Sequence, residues 1–387
     1  MTSELLKPLT DGITRVLPEA AALRRRLHAD PRLSGQEGHT RDQLVAALPF
    51  LDWSPVAATG AWARLGPNGP AVGLRAELDA LPIDEVTGVE FESRIPGVMH
   101  ACGHDVHMAA LWAVLNAARE LDLPAAMVPV LQPREEVTPP GAGDVVASGL
   151  LERESVEAMI GVHMQPGVDP GVVSTGAGAV NAAYDSFEIT VAGSPAHGAY
   201  PHLAVDPITT LAAIIGEVSS LRGRLIDPTH ATVVSFGQVS GGTAPNVIPD
   251  SASCRGTIRT FHEADRMRLH EAIARTVEGV AAGRGAHAEA RFVRGGPALV
   301  NDPALVHRTD HLLSSLGVTV AETPFRSCGS DDFAEYGRET ASLMCFIGTG
   351  RINGAGLHHG AYLPGRDALE LAAVAYASGY VAAASTL

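Results

Sequence analysis

The chain has 387 residues, 46% of them hydrophobic and 18% charged, and 28 Lys plus Arg against 43 Asp plus Glu give a formal net charge of −15. That composition is globular rather than disordered, and at about 150 residues per domain the length predicts two domains. The acidity excludes a general nucleic-acid binder, whose phosphate contacts need a basic face, and the single lysine, Lys7, excludes a P-loop and a pyridoxal-phosphate Schiff base inside the fold.

In chain order, residues 4–27 carry apolar side chains at helical spacing (Leu5, Leu9, Ile13, Val16, Leu17, Ala20, Leu23, Leu27), which predicts an opening amphipathic helix interrupted near Pro18. A second helix is expected over 40–48. Ala71–Leu78, Ala126–Leu131 and Ala158–Val162 read as buried strands, and Asp105–Leu121 as a helix with apolar residues on most faces. Such strands alternating with helices predict an α/β fold with a mainly parallel central sheet. After residue 181 the pattern changes. Strands are expected at Ala183–Val191, Ala231–Val239, Ser251–Thr260 and His287–Val293. Helices are expected at Pro207–Arg222 and Glu263–Ala281, the second N-capped by Thr260. The order β-α-β-β-α-β is that of the split ferredoxin-like unit. The α/β pattern then resumes with a helix at 303–315, a strand at Ser342–Ile347 and a helix at 367–385. The expected organisation is a larger α/β domain, residues 1–181 and 295–387, with a smaller α+β domain, 182–294, inserted into it.

Chemistry concentrates in Met99–His107, MHACGHDVH, which holds His100, Cys102, His104, Asp105 and His107. Cys102 and His104 are two apart, and in an extended segment both project to one face and reach one ion. Thiolate and imidazole suit borderline-soft divalent ions such as Zn, Ni, Co or Mn. The pair Glu135–Glu136 follows the buried strand ending at Leu131, and His163 follows the strand ending at Val162. In open α/β sheets ligands collect at the carboxyl ends of strands. An adjacent glutamate pair alone is more often an exposed loop charge, and a single His is more often a satisfied structural residue. Together with His358 and His359 in the glycine-rich segment GLHHG, they form an N/O/S set adequate for two ions that activate a water. Cys102, Cys254, Cys328 and Cys345 are widely spaced without a C-x-x-C, and Met1–Leu9 shows no secretion signal. A reducing cytoplasm is the expected location. No apolar run reaches membrane-spanning length, so no membrane partner is expected.

The ordered set RAELDALP (75–82), MHACGHD (99–105), QPREE (132–136), His163, AHGAYPHLAVDP (196–207), GGTAPNVIPD (241–250), GTIRT (256–260), GSDDF (329–333) and GLH (356–358) resembles the metal-dependent aminoacylase/carboxypeptidase family. Within that family it looks more like the N-acyl-amino-acid amidohydrolase branch, which includes hippurate hydrolase and plant auxin-conjugate hydrolases. The resemblance implies a two-metal catalytic domain with an inserted lid and dimerisation domain, and hence a homodimer. It implies that Cys102, His104, Glu136, His163 and His358 hold two divalent ions (Zn, Mn, Ni or Co), with Cys102 bridging them. Glu135 matches the general base, and Asp79 a carboxylate that orients a ligand. His104 supplies the imidazole of the position where Glu77 replaces a family histidine. His197, Asn246 and Arg259 match groups that reach the substrate: His197 to stabilise the oxyanion, in cis or across a dimer, and Asn246 and Arg259 to hold a carboxylate. His107 and His202 are expected to be structural or to support the ligands from behind.

The implied activity is metal-dependent hydrolysis of the amide of an N-acyl amino acid or a related small conjugate. Dipeptidase or carboxypeptidase action, an inactive metal- or ligand-binding relative, and a Cys102 thiol nucleophile with a His base are the competing readings. The sequence departs from the family at Gly360, where proline is common, at Asp331, where glutamate is commoner, and at Pro139–Pro140, where glycines are usual.

Overall fold

Four apolar runs become strands whose middles never meet solvent. In the computed structural model, which describes residues 2–351 and 354–387, Ala71–Glu77 and Ala126–Gln132 are buried at every position. Val156–Gln165 and Ala341–Gly348 are buried nearly throughout. A strand covered on both faces has no reason to alternate, and so these segments read as continuous apolar stretches.

The chain divides into two compact units, one formed by Met1–Gly178, Val300–Phe325 and Asp332–Leu387, the other by Ala179–Leu299 and Arg326–Asp331. In chain order the helices are α1 (Leu6–Ala29), α2 (Gly38–Ala47), α3 (His104–Ala118), α4 (Gly141–Ala147), α5 (Leu150–Arg153), α6 (Pro207–Leu225), α7 (Glu263–Gly283), α8 (Pro303–Ser315) and α9 (Arg366–Ala384). The first unit begins with strands β1 (Ser54–Val56), β2 (Gly60–Trp62), β3 (Ala71–Glu77), β4 (Ala126–Gln132), β5 (Val156–Gln165) and β6 (Val172–Ser174). After β7 (Gly178–Asn181) the second unit contributes β8 (Ala183–Ala192), β9 (Ala196–His197), β10 (Thr232–Gly241), β11 (Val247–Ile248), β12 (Ser251–Thr260) and β13 (His287–Arg294). The chain then passes through β14 (Leu299–Asn301), β15 (Thr319–Val320) and β16 (Ala341–Gly348).

In the first unit eight strands form one sheet in the order β1-β2-β4-β3-β5-β16-β6-β15. Its centre is parallel, β4 beside β3, β3 beside β5 and β5 beside β16, whereas β1–β2, β2–β4 and β16–β6 are antiparallel. The sheet is therefore mixed and mostly parallel, as the alternating pattern predicts. Helices α1, α3 and α9 pack together over it. Helix α9 is rich in alanine, and at Gly379 a Cβ would come within 2.8 Å of Ile160, so small side chains let the helix approach the sheet. Tyr376 Oη donates to the Arg75 carbonyl and Tyr380 Oη to the Ala125 carbonyl, pinning α9 to β3 and the start of β4. Contrary to the expected interruption, α1 runs through Pro18. Its buried row of Leu9, Ile13, Leu17, Ala20, Leu23 and Leu27 outweighs the hydrogen bond that proline forfeits.

The second unit follows β8-α6-β10-β12-α7-β13, and its sheet is antiparallel in the order β10-β12-β8-β13. That order is the one a split β-α-β arrangement produces. Strand β8 alternates buried and accessible positions because only one face meets α6 and α7. Asp206 caps α6, its Oδ1 accepting the Ile208 and Thr209 amides. Thr260 does not cap α7: the N-cap is His262, and Thr260 Oγ1 is buried without a partner at the end of β12. Asp185 accepts hydrogen bonds from Arg266 and the Gly295 amide, and Arg266 also donates to the Gly295 carbonyl, so the start of β8 and the chain leaving β13 are tied together. Among the described residues, no helix is long and apolar enough to cross a membrane.

Candidate metal centre

The parallel strands β4, β3 and β5 end at a common edge, and the chain leaving each carries chemistry. Beyond β3 come Leu78 and Asp79, and beyond β4 come Glu135 and Glu136. His163 lies within β5 rather than after it, paired in register with Phe346 of β16. Cys102 and His104 do not share an extended segment as the spacing argument supposed. The chain turns at Gly103, whose φ is 87°, and His104 opens α3. A Cβ at Gly103 would lie 2.7 Å from Met164 Cγ, so both the dihedral and the space require glycine.

Ligand atoms of Cys102, His104 and His163 lie within 4.8 Å of one another, as do those of Cys102, Glu136 and His358, and those of His104, Glu135 and Glu136. Cys102 Sγ is 3.6 Å from His163 Nε2. His104 Nε2 is 3.9 Å from both Glu135 Oε2 and Glu136 Oε1, and His358 Nε2 is 3.2 Å from Glu136 Oε1. His359 belongs to no such group among the described residues, and its Nδ1 accepts the Ala361 amide.

The tautomers follow from the backbone. His104 Nδ1 is 2.8 Å from the Asp79 carbonyl, and His163 Nδ1 is 2.8 Å from the Met164 carbonyl. A carbonyl only accepts, so each Nδ1 carries the proton and each neutral ring keeps its Nε2 lone pair for the cluster. His104 Nε2 is buried with no hydrogen-bond partner. A thiol, two imidazole lone pairs aimed at it and two carboxylates form a donor set that fits divalent metal. Burial alone would lower the pKa of His104, but the Glu77, Asp79 and Glu136 carboxylates raise it to about 10, so without an ion Nε2 also carries a proton and a bound divalent ion would take that proton's place. Burial, then the Glu136 and Glu135 carboxylates, push the Cys102 thiol up.

Asp79 is wholly buried. Its Oδ2 accepts the Glu136 amide at 2.9 Å and the Ser34 hydroxyl at 2.7 Å. Glu77 lies with His104 and His107 in a group whose ligand atoms are within 4.8 Å of one another, but its carboxylate is engaged by Arg75, and its Oε2 accepts from His107 Nδ1 at 2.9 Å. His107 Nε2 in turn accepts the Met164 amide at 3.1 Å, so both its nitrogens are committed and it has no lone pair for an ion. His100 is buried, and neither of its ring nitrogens has a hydrogen-bond partner.

Within the second unit, His197 and Asn246 are neighbours: His197 pairs with Val247, and the Gly198 amide donates to the Asn246 carbonyl. His197 Nδ1 accepts the Ala199 amide, which leaves a neutral ring with its N–H at exposed Nε2. Arg259 is elsewhere. It pairs with Tyr184 at the start of β8, whereas β9 and β11 adjoin the far end of that sheet, where Ala252 pairs with Val191. Seven residues of strand separate the ends, roughly 24 Å. Arg259 Nη1 donates to the Cys328 carbonyl. Sequence reasoning overlooked Ser34 and Glu37, and it named Glu77 and His107 without seeing that they are bonded to each other. The contacts that give them a role lie 22 to 97 residues away, Ser34 with Asp79, Glu37 with Thr59 and Arg134, and Glu77 with His107, and no local pattern announces them.

Residues 73–378 match the profile described as peptidase family M20/M25/M40. The chain is 34% identical over 365 residues to an N-acetylcysteine deacetylase of Bacillus subtilis, covering 92% of this chain and 94% of that protein. It is 31% identical to thermostable carboxypeptidase 2 of Saccharolobus solfataricus, covering 97% and 98%. A crystal structure of a Bacillus subtilis protein described as a dinuclear metal-binding peptidase of the M20 family superposes with a TM-score of 0.85 at 31% identity, covering 97% of this chain and all of that one. The match spans the strands and loops that bring Cys102, His104, Glu136 and His163 together, and the chain belongs to peptidase family M20/M25/M40.

Proposed function

We propose that this protein is a metal-dependent amidohydrolase that cleaves the amide bond of N-acyl amino acids or related small conjugates. The observation that carries the reading is the pair of imidazoles, His104 and His163, each with Nδ1 bound to a backbone carbonyl and Nε2 left for the thiol and carboxylate cluster. The relatives named deacetylase and carboxypeptidase support the substrate class, an amide joining an acyl group to an amino acid.

Cys102, His104, Glu136, His163 and His358 would hold two divalent ions (Zn, Mn, Ni or Co). When bound, such ions lower the pKa of water and polarise a carbonyl. The Glu135 carboxylate takes the proton of the attacking water and hands it to the leaving amine nitrogen. Asp79 keeps His104 in its Nδ1–H tautomer through its backbone carbonyl and holds the Glu136 peptide through its carboxylate. Arg259 and Asn246 hold the substrate carboxylate, and the Nε2–H of His197 donates to the developing oxyanion.

The segment 182–294 acts as lid and dimerisation domain in this reading. The wide separation of His197 from Arg259 within the second unit supports His197 and Asn246 serving the site of a second copy. Strand β10 is a sheet edge with Val239 exposed, which supports pairing between copies through it. The free cysteines support a reducing, cytoplasmic setting.

The test is release of acetate, benzoate or amino acid from N-acetyl, N-benzoyl and dipeptide substrates by chelated protein reloaded with Mn, Zn, Ni or Co. Wild type should be silenced by chelator and rescued by metal, and Glu135→Gln should keep its metal while losing about 10²- to 10⁴-fold in rate. Folded, metal-loaded protein that turns over none of these substrates overturns the reading. Activity that survives chelator but not thiol alkylation assigns the chemistry to Cys102 as nucleophile instead.

A further inference from the structure

We propose that Glu37, a buried carboxylate on the turn before α2, is a positioning residue for the hydrolytic pair Glu135–Glu136. The inference rests on the reading of Glu135 as base and Glu136 as ligand given above. Glu37 is wholly inaccessible, yet the hydrogen bonds it makes come from neutral donors. Its Oε1 accepts the Gly35 amide at 2.7 Å and the Arg134 amide at 2.9 Å, and its Oε2 accepts the Thr59 hydroxyl at 2.7 Å. Burying a carboxylate on neutral donors is a poor way to gain stability. It is a way to hold a peptide in place, because one oxygen accepts both the Gly35 and the Arg134 amide while the other is fixed by the Thr59 hydroxyl.

What it holds is unusual backbone. Arg134 has φ 55°, in the left-handed region that non-glycine residues avoid. It is fastened on several sides: its amide to Glu37, its carbonyl to the Gly141 amide at 2.9 Å, and its guanidinium to the Pro139 carbonyl and to Asp144. The next residue is Glu135. One residue further, the Glu136 amide is held by Asp79 Oδ2, and that carboxylate is steadied by the Ser34 hydroxyl. Ser34 and Glu37 belong to the same short segment. Residues 34–37 thus bracket Glu135, gripping the amide before it directly and the amide after it through Asp79. A side chain outside the cluster sets the direction in which the pair leaves β4.

The experiment compares Glu37→Ala, Glu37→Asp, Glu37→Gln and Thr59→Val with wild type. Gln keeps an oxygen for both amides and a donor for Thr59. Asp keeps the charge but withdraws it from Arg134. Thr59→Val removes one partner of Glu37 without touching the Arg134 contact. On whichever substrate wild type turns over, kcat of folded, metal-loaded Ala and Asp variants should fall about 10- to 100-fold with KM nearly unchanged, the size typical of a lost ligand-orienting contact. Gln should restore kcat to near wild type, and Thr59→Val should lower thermal stability without lowering kcat. In metal-free protein, amide exchange across 134–137 should quicken in the Ala and Asp variants and stay slow in Gln. If Ala does not fold, Asp carries the comparison. Unchanged kcat and exchange in Asp, or a Gln variant as impaired as Asp, overturns the inference. If wild type shows no turnover, the hydrolase reading fails on its own, and the exchange comparison still decides whether Glu37 fixes this peptide.

Discussion

The carboxylate of Asp79 accepts the backbone N–H of Glu136 at 2.9 Å. A side chain just past one parallel strand therefore fixes the peptide just past its neighbour, and the same residue's carbonyl sets the tautomer of His104. Asp79→Ala should cost about 10- to 100-fold in metal affinity with the secondary structure retained. Calorimetric titration of the chelated protein measures this directly; affinity equal to wild type would remove Asp79 from the supporting role.

Separation of His197 from Arg259 within the second unit makes a prediction about assembly. Glu135→Gln and His197→Ala should each be inactive alone. Mixed under conditions that allow subunits to exchange, they should recover activity, because a mixed pair holds one site with both residues intact. Recovery of nothing from a demonstrably mixed dimer would place His197 at its own chain's site.

A buried ion cluster below the site gives a pH signature. His28 contacts Asp105 at 3.1 Å and Glu85 at 3.0 Å. Burial alone would lower its pKa, but the Asp105 and Glu85 carboxylates outweigh it and raise the value from 6.5 to about 9. A group whose pKa is raised on folding stabilises fully below its unfolded value and loses that contribution as pH climbs through the folded one. Stability of the first unit should therefore decline between about pH 6.5 and 9, by at most about 3 kcal/mol. Trp53, Trp62 and Trp112 all lie in that unit, so fluorescence-detected urea unfolding reports on it. Glu85 and Asp105 would face an uncharged partner in His28→Gln, whose profile should be flatter across this window; an identical slope would rule His28 out as the source.

In the second unit the Arg266 guanidinium, the His270 ring and the Gly295 amide hold Asp185 below the usual carboxylate range. A depressed carboxylate stabilises above its unfolded pKa and loses the contribution as pH falls. Asp185→Leu leaves the buried Arg266 charge with only the half-exposed Glu263 carboxylate and the Tyr184 and Gly295 carbonyls as partners, and should cost the unit up to about 3–5 kcal/mol at neutral pH. Hydrogen exchange in β8 and β13 should report the loss; exchange as slow as wild type there would show that Arg266 finds another partner.

The long buried strands were legible because burial on both faces leaves an uninterrupted apolar run, as in Ala126–Gln132. The three-residue strands Ser54–Val56 and Gly60–Trp62 are too short to show any period, and they join the sheet edge only through pairing with distant β4. The helix break at Pro18 and the Thr260 cap failed because tertiary packing overrode a local rule. At the site, residue types in Met99–His107 pointed to metal chemistry, but spacing misjudged how Cys102 and His104 meet: the chain reverses at Gly103 instead of running extended. Glu37 was illegible because its decisive contact, Arg134, stands 97 positions along the chain.

Gly103 carries no chemistry, yet its φ of 87° and the 2.7 Å clearance to Met164 close that position to every other residue. A saturation mutagenesis map of this protein would show an inert hydrogen atom among its least replaceable groups. Anyone transplanting the Cys–His element into a new scaffold would have to carry across the hollow beside the methionine as well as the donors themselves.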